Sequence, residues 1–397
     1  MVTDYYMQKN KKKILFVAQS LKIGGIERAL VDQLNSMDTS KYAVDLLLFS
    51  QAGEYLNEVG PHIRLLKSKW FLNIVGKTQA ETKGDIINYC MRGLFAVLAK
   101  TFGSRLVYNF FYRFIRPIKG YDVAISYVHD GSLNGLYYGC NSFVLKKVVA
   151  KTKIAWIHSD YLGVGMNCKE RDDIYAQFDK VVNVSQAMKH KFDSLNIVPK
   201  DSSKVVYNRI DAERMKLKAN EPLSTPVSNN FTIVSVCRIE EMKGVLPLCR
   251  IAKKLKENGC DFTWLFIGKG NQLEECKRFI DDNYLNDYIK FLGALSNPYP
   301  YIKNADIFVS GSISETFGLS IFEAIQLGTV VVAKKYDAIN EVIDGHNGLV
   351  ADTFDEIFEN LYQLYQDKQL YMKYKSQVTP LMDYNQLNAV QFSEILK

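Results

Sequence analysis

Short apolar runs alternating with helical patterns constrain this chain most. Lys13–Ala18 (Lys-Ile-Leu-Phe-Val-Ala) is such a run, apolar almost throughout as a strand buried on both faces must be. Others stand at Ala43–Phe49, Ile63–Leu66, Val123–Tyr127, Lys153–Ile157 and Val181–Ser185. A second series runs through Phe231–Cys237, Thr263–Ile267, Ile289–Gly293, Ala305–Val309 and Thr329–Ala333. Strands alternating with helices predict a doubly wound α/β sheet, here twice over. A length of 397 residues suits two domains better than one core. Between the series lies Asn-Glu-Pro-Leu-Ser-Thr-Pro-Val-Ser-Asn-Asn, residues 220–230, whose composition is that of a linker. The boundary is therefore expected between residues 220 and 221.

The densest chemistry follows the run Ala305–Val309. Ser310-Gly311-Ser312-Ile313-Ser314 makes a turn, and an amphipathic pattern from Leu319 to Leu327 reads as a helix. A helix starting at such a turn presents unpaired N–H groups and its positive dipole end at the strand ends, which suits a phosphate. Glu315 stands in the turn and Glu323 about two helical turns later, on roughly the same side. Both can accept hydrogen bonds from hydroxyl groups. An ordinary βα unit with solvated glutamates satisfies the same spacing.

Glu315-Thr316-Phe317-Gly318-Leu319-Ser320-Ile321-Phe322-Glu323-Ala324, preceded by Ser-Xaa-Ser, closely resembles the Glu-x7-Glu motif of retaining nucleotide-sugar glycosyltransferases, glycosyltransferase family 4 in particular. The resemblance extends over nearly the whole chain. Leu21-Lys22-Ile23-Gly24-Gly25 is similar to the family's N-terminal glycine loop, which faces the donor's phosphate and sugar; it lacks the spaced glycines of a dinucleotide site. His158 closes the strand Lys153–Ile157, where the family has a histidine near the reacting sugar carbon. Arg238 and Lys243-Gly244 match the family's Arg…Lys-Gly pair, and Gly268-Lys269-Gly270 its Gly-x-Gly. The turn at Leu292-Gly293 stands where the backbone meets the nucleobase. Glu341-Val342 and Gly345-His346-Asn347-Gly348 also fit. Two places depart: Arg209 replaces the usual glycine of Asn-Gly-Val-Asp, and Lys334-Lys335-Tyr336-Asp337 replaces a glycine pair.

The resemblance implies a GT-B fold, two Rossmann-like domains facing a central cleft, with residues 381–397 crossing back to the first. It implies sugar transfer with retention from a nucleotide diphosphate sugar, UDP by family frequency. Arg238, Lys243 and the helix mouth at Thr316, Phe317, Gly318 and Leu319 would hold the diphosphate. Glu323 would hold the ribose, Glu315 the donor hydroxyls, and His158 with Gly24 and Gly25 would complete the site. No Asp-x-Asp metal site stands out, so no cofactor or essential metal is expected. An epimerase, a non-catalytic subunit and a pyridoxal-dependent phosphorylase share the architecture. All four charged residues are retained, against the second; the third is far longer.

Seven cysteines without paired spacing point to reduced thiols in a cytosolic setting. Neither a transmembrane stretch nor a signal-peptide core is evident. The net charge of +7 is uneven: from Ile86 to Tyr121 there is no acidic residue, while Arg92, Lys100, Arg105, Arg113, Arg116 and Lys119 alternate with aromatic and aliphatic residues. That interleaving suits a helix on anionic lipid, or a core helix with a solvated basic face. A glycan or lipid-linked acceptor at the inner membrane face is the expected partner, and nucleic acid is not.

Overall fold

The computed structural model describes residues 11–130, 133, 135, 136, 139–223, 230–379 and 384–397. Residues 224–229 of the expected linker and 381–383 of the expected returning segment lie outside the described residues. The chain divides into two compact units, Met1–Ile210 with Asn385–Lys397, and Asp211–Tyr384.

The first unit holds a seven-stranded parallel sheet: β1 (Lys12–Ala18), β2 (Tyr42–Leu48), β3 (Arg64–Leu66), β4 (Ile118–Ser126), β5 (Val148–Ile157), β6 (Lys180–Asn183) and β7 (Ser203–Val205). Their order is β3-β2-β1-β4-β5-β6-β7. The second holds β8 (Phe231–Val236), β9 (Phe262–Ile267), β10 (Ile289–Gly293), β11 (Ile307–Ser310), β12 (Val330–Lys334) and β13 (Gly348–Ala351), ordered β10-β9-β8-β11-β12-β13. Strand order reverses between β1 and β4, and again between β8 and β11. Loops leaving the carboxyl ends of those strands diverge and leave a crevice, where ligands of open α/β sheets bind.

The apolar runs become strands because both sheet faces are covered. Ile14 to Ala18 are fully buried, as are Val330 to Ala333. Trp264, also fully buried, gives its indole N–H to Ser235 Oγ at 3.1 Å, and Ser235 donates to Val309 O at 2.7 Å. Each bond spares a buried polar group a penalty of about 1–3 kcal/mol.

The sequence reading differs in three places. β4 and β5 start earlier than their apolar runs, pairing Ile118 with Val148 before a register shift. β7 and β13, three and four residues at the edges of their sheets, were not foreseen as strands. The units part at residue 210 rather than 220. The helix Ala212–Lys218 belongs to the second unit, where Asn297 Nδ2 donates to Lys218 O at 2.9 Å and to Glu221 at 2.7 Å. Proline and serine mark a linker by composition; packing decides which unit a helix joins.

The last helix, Tyr384–Ile395, packs on the first unit. Phe392 stacks on Phe16 with centroids 6.3 Å apart, and Asn388 Nδ2 donates to Tyr207 O at 2.6 Å. Arg209, the departure from the family pattern, donates to Asn385 O at 2.7 Å.

Candidate active site

In the second unit the loops leaving β8, β9, β10 and β11 are stitched together by backbone hydrogen bonds. Ile239 N donates to Lys269 O at 2.9 Å, Gly268 N to Gly293 O at 2.8 Å, and Ile313 N to Met242 O at 2.9 Å. Gly268 is required by this closeness: a Cβ there would lie 1.8 Å from Cys237 O. Leu292 sits half-buried in β10 at the edge of the same loop set.

The switch between β8 and β11 brings together residues 72 positions apart. Lys243, in the single turn Glu241–Lys243 after β8, reaches Glu315 after β11, with Nζ 2.5 Å from Oε1. Both side chains are largely buried, at 14% and 20% exposure. Glu323, on the helix Leu319–Gln326, accepts from the Tyr299 hydroxyl at 3.0 Å. Arg238 does not join them: its side chain is 70% exposed and pairs with Glu240 at 2.7 Å. Phe317 turns its ring inward, 5.9 Å from Phe322 and 5.4 Å from Tyr384, so only its backbone is available to a ligand. Thr316 is half-buried beside it. Gly318 adopts φ +85° and caps the helix. Among the described residues, the N–H groups of Gly318, Leu319 and Ser320 find no backbone acceptor, as the first turn of a helix requires.

Sequence reasoning missed Tyr299, which orients Glu323, and Cys237, which lies amid the charges of Lys243, Glu315 and Arg238. Burial pushes the Cys237 thiol up to about 12, so it stays protonated. The pattern Asn297-Pro298-Tyr299-Pro300, an aromatic between two prolines at a helix start, was the available signal for Tyr299.

In the first unit, Gly24 is extended and precedes the helix Gly25–Asn35, accepting from Arg28 N at 3.0 Å. The carboxylate of Glu27 folds over it, 2.3 Å from where a Gly24 Cβ would be, and burial raises the Glu27 pKa. His158 follows β5 and is 7% exposed, parallel to the Trp156 ring at 6.1 Å and 4.8 Å from the Tyr127 ring. Burial, reinforced by nearby His129, lowers its pKa to about 3. His129, after β4, has Nε2 3.2 Å from Ser159 Oγ and is lowered to about 4 by burial and by Arg171. Asp130 accepts from Gly139 N at 2.9 Å and Asn141 N at 3.1 Å, yet burial raises it to about 6. The histidines are therefore neutral at pH 7, suited to hydrogen bonding rather than to carrying charge. His129 gave no sequence signal, standing alone after its strand.

Among the described residues no cluster of three His, Cys, Asp or Glu is placed to hold a metal ion, and no helix is long and apolar enough to cross a membrane.

Residues 220–379 match the family "Glycosyl transferases group 1". The amylovoran biosynthesis glycosyltransferase AmsK of Erwinia amylovora is 29% identical over 190 residues, covering 45% of this chain and 44% of that protein. An N-acetylgalactosamine-N,N'-diacetylbacillosaminyl-diphospho-undecaprenol 4-alpha-N-acetylgalactosaminyltransferase of Campylobacter jejuni is 26% identical over 208 residues, 51% of this chain and 55% of that one. The chain thus spans about half the length of the curated relatives it matches. The crystal structure of Anabaena HepE in complex with UDP-glucose superposes with a TM-score of 0.67 at 19% identity, covering 96% of this chain and 99% of HepE. With two parallel-sheet, Rossmann-like units the chain has the GT-B fold, and its second unit is related to the glycosyl transferases group 1.

Proposed function

We propose that the chain is a retaining glycosyltransferase of family 4, moving a sugar from a UDP-sugar to a glycan or lipid-linked acceptor in cell-surface polysaccharide assembly. The observation that carries this is the Lys243–Glu315 pair at the β8/β11 switch, beside the unpaired N–H groups at residues 318–320. These N–H groups and Lys243 hold the diphosphate and stabilise its charge as the sugar leaves. Arg238 swings from Glu240 to join them; its exposed side chain is free to rotate. Glu315 takes donor hydroxyls, and Glu323, oriented by Tyr299, takes the ribose. Neutral His158 and the Gly24-Gly25 loop, carried by the first unit, act on the donor sugar and its phosphate. The names of the Campylobacter relative and of the HepE complex support a lipid-linked acceptor and UDP.

The test is UDP release from a panel of UDP-sugars with membrane extract. Release that needs acceptor and survives a chelator is expected, because lysine and arginine supply the positive charge. Release of an epimerised nucleotide sugar without acceptor would point to an epimerase instead. Full activity in Glu315→Gln would remove Glu315 from the site.

The acceptor is reached from an anionic membrane surface at its cytoplasmic face. Helices Ile86–Phe102 and Ser104–Tyr112 are anchored by buried Phe95, Ala99, Val107 and Tyr108. Ile86, Val97, Phe102, Leu106, Phe110 and Phe114 are nevertheless more than half exposed. Lys100, Arg113 and Arg116 accompany them, whereas Arg92 is withdrawn onto Lys77 O and Gln79. Apolar side chains with an excess of basic charge fit anionic headgroups, although Arg105 is drawn to an acid, Glu170 at 3.9 Å. Arg113→Glu with Arg116→Glu is expected to lower partitioning onto phosphatidylglycerol vesicles about tenfold or more, with activity on a soluble acceptor unchanged. Wild-type protein that ignores these vesicles in sedimentation would refute the membrane surface.

A further inference from the structure

Tyr336 occupies the loop after β12 where the sequence departs from its family, and the structure gives that departure a use. Both lysines before it are turned to Asp352: Lys334 Nζ donates to its carbonyl at 2.6 Å, and Lys335 Nζ lies 2.8 Å from its carboxylate. Tyr336 turns inward, 7% exposed, and its hydroxyl donates to Phe317 O at 3.1 Å. Burial, with the charges of Glu315 and Glu341, raises the phenol pKa, so the group remains a donor. A Cβ on Gly318 would lie 2.2 Å from the phenol oxygen, and φ +85° there is itself unfavourable for other residues. Glycine and tyrosine are thus fitted to one another.

A trans peptide is planar, and its C=O and N–H point in opposite directions. Holding the Phe317 carbonyl therefore fixes where the Gly318 N–H points, and the next two N–H groups follow on the helix. The Phe317 ring, packed against Phe322 and Tyr384, clamps the same peptide from its other end. We propose that Tyr336 is a positioning residue for the donor diphosphate, setting the direction of the N–H groups at residues 318–320 without touching the ligand. This rests on the donor-site reading above.

The experiment is calorimetric binding of UDP and of uridine to wild type and Tyr336→Phe, which keeps the ring and removes only the hydroxyl. UDP affinity is expected to fall about tenfold, as for loss of one well-placed hydrogen bond. Uridine affinity should stay within about twofold, because the nucleoside lacks the diphosphate, and the unliganded melting temperature should move only a few degrees. The KM for the donor should rise and kcat should fall as well, because the same N–H groups stabilise the leaving diphosphate. UDP affinity that is unchanged, or UDP and uridine weakened alike, overturns the positioning role while leaving the donor site standing. Wild-type protein that binds neither UDP nor GDP overturns the donor site itself and this inference with it.

Discussion

Replacing Lys243 with Met is expected to lower the rate of sugar transfer about 10²–10³-fold, the usual cost of removing one fixed charge from a developing anion. Two effects add. The diphosphate loses a cation held in place by a short turn and by Glu315, 2.5 Å away. Glu315 also loses its counter-ion and is left as an uncompensated carboxylate beside the leaving group. The ion pair is not wholly desolvated, with 14% and 20% of its side chains exposed, so folding stability should fall by only about 1–3 kcal/mol. Removing both charges in Lys243→Met/Glu315→Gln separates the two roles. The double variant should regain most of the lost stability, because no buried charge is left alone, and none of the activity. Lys243→Arg should recover little, since a planar fork does not fit where a point charge sits. Transfer within about threefold of wild type in Lys243→Met, well short of the expected loss, would show that the pair is structural.

Strand positions were legible because parallel strands covered on both faces must be continuous apolar runs, and Ile14–Ala18 and Val330–Ala333 are such runs. The early starts of β4 and β5 were hidden, since Lys119, Tyr121 and Lys151 at their exposed ends carry no such pattern. Lys243 and Glu315 could be named separately from motifs, and doubly wound topology explains their meeting across 72 residues. What sequence could not supply was side-chain direction. Arg238 and Lys243 look alike as cations near a strand end, yet one pairs outward with Glu240 and the other inward with Glu315. Phe317 sits within the motif and spends its ring on the core. Tyr299 and Tyr336 act on residues 24 and 19 positions away through single hydrogen bonds, which leave no periodic trace.

Acidification from pH 7 to pH 5 is expected to destabilise the first unit, through two histidines that the folded chain holds neutral. His158 at about 3 and His129 at about 4 lie below the ordinary value of 6.5. Between 6.5 and 4 the unfolded chain therefore binds protons that the native one refuses, and stability falls as pH falls, by up to about 1.4 kcal/mol per pH unit for each group. Asp130 works in the opposite sense. Raised from 3.8 to about 6, it holds a proton in the native state below about pH 6 and favours folding as the pH drops through that value. Glu27, raised by burial, acts the same way. Set against Asp130 alone the two histidines leave a net loss of about 2 kcal/mol over the two pH units, which Glu27 reduces further, read as a melting temperature lower by a few degrees. The sign gives the sharper test. With His158→Phe and His129→Phe together, raised Asp130 and Glu27 dominate between pH 7 and 5, and the variant should melt higher at pH 5 than at pH 7. The lowered carboxylates Asp38, Glu81 and Asp122 lose most of their contribution only below pH 5. A double variant that keeps the wild-type slope would place the acid sensitivity elsewhere, and the neutral state of the buried imidazoles would lose its support.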